Sequence, residues 1–118
     1  MLSVAVTLLS LAVAAGTGLA LWYLRGGARP PVAIGALHGG TGAIGLVALL
    51  LVLRGPPRGV AAGVGSFGTT AAVLFVAAVL TGLAILARRR RLPAVTMAVH
   101  AGLAITGYVL LLAWNALG

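Results

Sequence analysis

Residues 29–50 read RPPVAIGALHGGTGAIGLVALL, and residues 91–112 read RLPAVTMAVHAGLAITGYVLLL. Laid side by side, Arg29 meets Arg91, Pro31 meets Pro93, His38 meets His100, Gly40 meets Gly102 and Gly45 meets Gly107. Upstream, TGLA at 17–20 returns at 81–84. Matches among Ala, Leu and Val carry little weight in so apolar a chain. Coincidences among Arg, Pro, His, Gly and Thr carry more, because these residues are scarcer or more constrained. The offset is 64 from Thr17 to Thr81 and 62 from His38 to His100, so the second unit has the shorter loop. The chain reads as a tandem of two-helix units, 1–58 and 59–118.

The rest of the composition sets the solvent. Of 118 residues, 62% are hydrophobic, Asp, Glu and Lys are absent, and the side-chain charges are eight Arg. Such a chain cannot cover a water-facing surface, so lipid surrounds most of it. A span needs about 20 apolar residues. Four runs qualify, roughly 2–24, 31–53, 60–87 and 93–116. RGGARP at 25–30, RGPPRG at 54–59 and RRRRLP from Arg88 separate them, each combining Arg with Pro at a headgroup. Breaks this short make neighbouring helices antiparallel. The expected fold is therefore all-α, an integral membrane four-helix bundle, up-down-up-down, in one transmembrane domain over 1–118.

Arg25, Arg29 and Arg88 to Arg91 share one side, against Arg54 and Arg58 on the other. That imbalance puts the first and third breaks in the cytoplasm and both termini outside the inner membrane. The first run has no positive n-region and is too long for a signal-peptide core, so it reads as a retained helix. Trp22 and Tyr23 fall at one interface and Trp114 at the other, as aromatic belts. The third run opens with Gly59, Gly63, Gly65 and Gly68, whose spacing suggests close helix contact or irregular first turns.

His38 and His100 are the two histidines of the chain, each seven residues past its Pro. That is about 10 Å into the membrane at 1.5 Å per residue. Ionisable side chains in a span are costly and face the bundle interior. In a pseudo-two-fold bundle the second and fourth helices take opposite corners, on the order of 11–14 Å apart when neighbours lie 8–10 Å apart. That spacing suits one planar iron porphyrin, a haem b, held by an imidazole nitrogen on each face. Gly35, Gly42 and Gly45 beside His38, and Ala104 and Gly107 beside His100, let a flat macrocycle approach the backbone. Thr17, Gly18, Thr81 and Gly82 form the other walls, and a Thr hydroxyl there orients a ligand imidazole. Arg29 and Arg91, or Arg25 and Arg88, are candidates to neutralise the haem propionates; plain positive-inside topology explains them equally. The alternative for the histidines is structural hydrogen bonding to Thr or a backbone carbonyl. Zinc or copper fits poorly, since two imidazoles without carboxylate or thiolate leave coordination incomplete. Met97, one turn before His100, reads as packing.

On these residues the chain resembles the four-helix membrane cytochromes b, which bind haem between paired histidines in transmembrane bundles. The resemblance rests on His38 and His100 in the second and fourth helices, on the helix count and on the nearby glycines. It implies membrane electron transfer with quinone or a partner redox protein. Members of that group commonly hold two haems, whereas this chain has ligands for one.

Other classes fare less well. Bis-histidine ligation fills both axial positions, so small molecules do not reach the iron and stand-alone catalysis is disfavoured. Intramembrane carboxylates for proton transfer are absent. Tyr108, two turns past His100, is rotated off its face and reads as core. Without Cys there are no disulfides or iron–sulfur clusters, and without Lys no retinal Schiff base. The net charge of +8 reflects lipid headgroups rather than nucleic acid. The rival reading is a structural or assembly subunit of a larger membrane complex, packing through Gly35/Gly39 and Gly59/Gly63. Haem sensing or carriage is a third, and a transporter the weakest.

Overall fold

The computed structural model describes residues 1–26, 31–88 and 94–118. They form four helices: α1 Leu2–Leu24, α2 Val32–Leu53, α3 Phe67–Ala87 and α4 Ala94–Leu117. Each is long and apolar enough to cross a membrane. The described residues occupy 47 × 22 × 20 Å. Helix α1 packs mainly on α2 and α3 on α4, with lesser contacts of α2 with α3 and α1 with α4. Among the described residues neither diagonal pair is in backbone contact.

The third helix starts at Phe67, seven residues later than its apolar run suggests. Gly59 and Gly63 have φ of +71° and +73°, the left-handed region that a helix excludes. They are turn residues, not a helix-packing pair. The chain folds over the end of the bundle instead: Val64 N–H donates to Gly59 O at 2.9 Å, and the Val64 side chain is buried. Trp114 packs under this loop. Its Nε1–H donates to Arg58 O at 3.3 Å, the Arg58 guanidinium lies 5.9 Å from the ring centre, and a Cβ on Gly68 would strike the indole at 2.8 Å. Trp114 is therefore a core residue, 3% exposed, rather than a member of an interfacial belt. Trp22 and Tyr23 are exposed.

Hydrophobicity does not separate helix–helix contact from helix–lipid contact, so packing rests on small residues that admit close approach. Gly45 fills that role in α2, where a Cβ would lie 2.9 Å from Leu9 Cγ. Gly107 does so in α4, where a Cβ would lie 3.2 Å from Leu74 Cβ and 3.3 Å from Ala71 O. Around them Ala5, Leu9, Leu49, Ala71, Phe75 and Leu111 are buried. Ser10 Oγ and Tyr108 Oη share a hydrogen bond of 2.7 Å that ties α1 to α4.

The core is confined to one half of the bundle's length. In α1 the last buried residue is Ala12, and in α3 it is Ala78. In α2 the first is Gly45, and in α4 it is Gly107. No described residue of 13–24, 32–44, 79–88 or 94–106 is buried. His38 and His100 lie just beyond this boundary, toward the ends of α1 and α3 that are followed by Arg25 and Arg88.

Candidate functional site

The two histidines meet across the bundle. His38 comes from α2 and His100 from α4, and their ring centroids are 6.0 Å apart with planes at 82°. Both rings are partly buried. His38 Nδ1 lies 2.9 Å from Ala12 O and His100 Nδ1 lies 2.8 Å from Ala78 O. A carbonyl only accepts, so Nδ1 carries the proton in each ring. In a neutral imidazole that leaves Nε2 bare, with its lone pair available.

The local sequence explains why these carbonyls are reachable. Each already accepts a helical hydrogen bond from four residues on, and its second lone pair faces outward. The residue four on is Gly16 for Ala12 and Gly82 for Ala78. With no Cβ there, the imidazole settles against the backbone. A Cβ on Gly16 would lie 2.8 Å from His38 Cε1, and one on Gly82 would lie 3.1 Å from His100 Cε1.

The sites expected from the sequence separate into distinct groups. Thr81 and Gly82 do flank His100: Thr81 Oγ1 is 3.2 Å from its Nδ1. Thr17 and Gly18, their sequence counterparts, do not flank His38. Thr17 Oγ1 donates to its own helix at Val13 O, and a Cβ on Gly18 would meet nothing within 4 Å. The contacts pair Leu8 with Leu74, Leu9 with Phe75, Ala12 with Ala78 and Gly16 with Gly82, two residues out of register with TGLA. Gly42, Gly45 and Gly107 lie on helix contacts, so the space they give is taken by neighbouring helices: a Cβ on Gly42 would touch Ala12 Cβ at 3.6 Å. Gly35 faces open space, as do Gly39, Gly40 and Gly102, and Ala104 is half-buried. Arg29 and Arg91 lie outside the described residues. Arg25 and Arg88 are exposed at the ends of α1 and α3.

Sequence reasoning missed Ala12, Gly16 and Ala78. The signal available was the spacing of Gly16 and Gly82 four residues after an Ala, embedded among Ala, Leu and Val matches of low information.

The donor set decides which groups the site can hold. Among the described residues no cluster of three or more His, Cys, Asp or Glu exists. A metal relying on protein ligands alone therefore has too few. A porphyrin supplies four nitrogens itself and asks for two axial ones. A metal–imidazole bond of about 2.0–2.1 Å, with ~1.1 Å more to each ring centre, sets trans imidazole centroids about 6.2–6.4 Å apart. The observed 6.0 Å is within a few tenths of that span. Two imidazoles with bare Nε2 atoms, and no further ligand beside them among the described residues, therefore fit a group that brings its own equatorial nitrogens.

No protein-family model, curated protein or solved structure matches this chain.

Proposed function

We propose that the protein is a membrane electron-transfer protein that holds one b-type haem between His38 and His100. The observation that carries this reading is the facing pair of imidazoles, 6.0 Å apart, each with its Nδ1 proton committed to a main-chain carbonyl. Metal-ligating histidines characteristically donate their other N–H in this way, which fixes tautomer and ring orientation. The confinement of the core to the other half of the bundle supports the same reading. A porphyrin there would supply the buried apolar contacts that the helices do not make with one another.

Bound at this site, the haem supplies a one-electron couple near the cytoplasmic side of the inner membrane, for exchange with quinone or a partner redox protein. The protein's share is ligation, orientation and exclusion of water. Ala12 O and Ala78 O hold the ring protons, Gly16 and Gly82 set the ring positions, and the apolar helices surround the centre. In this reading the bundle is up-down-up-down, two tandem two-helix units with both termini outside and the Arg-rich breaks cytoplasmic. Arg29 and Arg91, or Arg25 and Arg88, are then the candidates to neutralise the propionates.

The test is the absorption spectrum of the purified protein. A reduced b-type spectrum, lost in His38→Ala and in His100→Ala, is expected. A colourless protein from haem-replete cells that also takes up no added hemin overturns the reading, and co-purification with other membrane subunits would then favour an assembly role.

A further inference from the structure

The two imidazoles are held alike but not equally. Ala12 O and Ala78 O accept from the two Nδ1–H groups at nearly the same distance, 2.9 and 2.8 Å. Gly16 and Gly82 lie behind the two Cε1 atoms in the same way. The difference is a hydroxyl. Thr81 Oγ1 is 3.2 Å from His100 Nδ1 and within 2.9 Å of both Ala77 O and Ala78 O. Two carbonyls can use only its one proton, so its lone pairs are free to accept from the imidazole. The residue that stands to Ala12 as Thr81 stands to Ala78 is Ala15, three positions on, which has no polar side chain. The α1 hydroxyls on either side are bonded elsewhere, Ser10 Oγ to Val6 O and Tyr108 Oη and Thr17 Oγ1 to Val13 O. Among the described residues, the single Nδ1–H of His100 is thus shared in a three-centre bond between Ala78 O at 2.8 Å and, more weakly, Thr81 Oγ1 at 3.2 Å, whereas that of His38 has Ala12 O alone.

We propose that Thr81 is a positioning residue that makes His100 the stronger of the two axial donors and lowers the reduction potential of the bound haem. This rests on the haem reading above. An acceptor at Nδ1–H draws the proton outward and raises electron density on the ring, which makes Nε2 more basic toward the metal. A more basic axial ligand favours the ferric over the ferrous state, and outer-shell hydrogen bonding is one of the protein's recognised means of setting a haem potential. A hydroxyl that donates its own proton to a carbonyl is a better acceptor for it, since linked hydrogen bonds polarise one another. Thr81 therefore acts through His100.

The experiment is a spectropotentiometric titration of the haem-loaded full chain in detergent, with hemin affinity measured alongside. Thr81→Val is expected to raise the midpoint potential and to weaken hemin binding by about ten-fold, the low end for loss of an outer-shell partner. Thr81→Ser, which keeps the hydroxyl, should restore both. Ala15→Thr installs the missing acceptor beside His38 and should move the potential downward; it leaves native Thr81 in place and so does not depend on Thr81→Val folding. Unchanged potentials in Thr81→Val and Ala15→Thr, both carrying haem, overturn this inference alone. A wild-type chain that takes up no haem overturns the functional reading first, and this inference with it.

Discussion

The imidazoles of His38 and His100 lie 6.0 Å apart with their planes nearly perpendicular, although α2 and α4, which carry them, are not neighbours in the bundle. Each ring is steered there by a helix other than its own, α1 for His38 and α3 for His100. The steering contacts are a carbonyl and a glycine in both cases.

Adding a single methyl group to the steering glycines should therefore displace the rings. Gly16→Ala introduces a Cβ 2.8 Å from His38 Cε1, and the ring is tethered at Nδ1, so it cannot simply swing away. Overpacking of this kind costs about 1–3 kcal/mol. Hemin affinity should fall by about five- to hundred-fold on that basis, with a smaller loss for Gly82→Ala at 3.1 Å. Gly18→Ala, where nothing lies within 4 Å, should bind hemin like the wild type. Equal effects at Gly16 and Gly18 would mean that the ring does not rest on Gly16.

The propionate assignment has its own test. Arg29→Ala combined with Arg91→Ala should weaken hemin retention and shift the potential if these side chains neutralise the propionates. Retention and potential equal to wild type would leave the arginines with topology alone.

Trp114 should govern the stability of the packed half. Trp114→Phe loses the hydrogen bond to Arg58 O but keeps most of the ring, a cost of about 0.5–1.5 kcal/mol. Trp114→Ala leaves a cavity against Gly68 and Val64, a cost of about 3–5 kcal/mol. Thermal unfolding in detergent reads both, and a belt residue facing lipid would show no such gap between the two substitutions.

The Ser10–Tyr108 hydrogen bond should be measurable as a coupling. A double-mutant cycle of Ser10→Ala and Tyr108→Phe is expected to give about 0.6 kcal/mol, the mean for hydrogen bonds between membrane helices. Strict additivity of the two single changes would show that the bond contributes nothing to holding α1 against α4.

Topology can be read directly because the chain has no cysteine. Ser66→Cys, in the exposed loop before α3, should react with a membrane-impermeant maleimide added to intact cells. Arg88→Cys, at the end of α3, should react only after the membrane is opened. The reverse pattern would invert the orientation derived from the arginines.

Four helices were legible in the sequence because spanning segments obey a one-dimensional rule: enough apolar residues in a row, ended by Arg, Gly and Pro. The two histidines were legible for a related reason, since an imidazole in an apolar run is costly wherever the run folds. What faces what was not written in that pattern. Lipid and helix interior are equally apolar, so hydrophobicity could not tell Trp114 in the core from Trp22 outside it, nor Gly45 in a helix contact from Gly35 in open space. Nor could it mark α3 as beginning at Phe67, because positive φ at Gly59 and Gly63 costs no hydrophobicity. Only the tertiary structure decided that His38 rests on Gly16 rather than Gly18, since the register between two apolar helices is set by the shapes of their side chains.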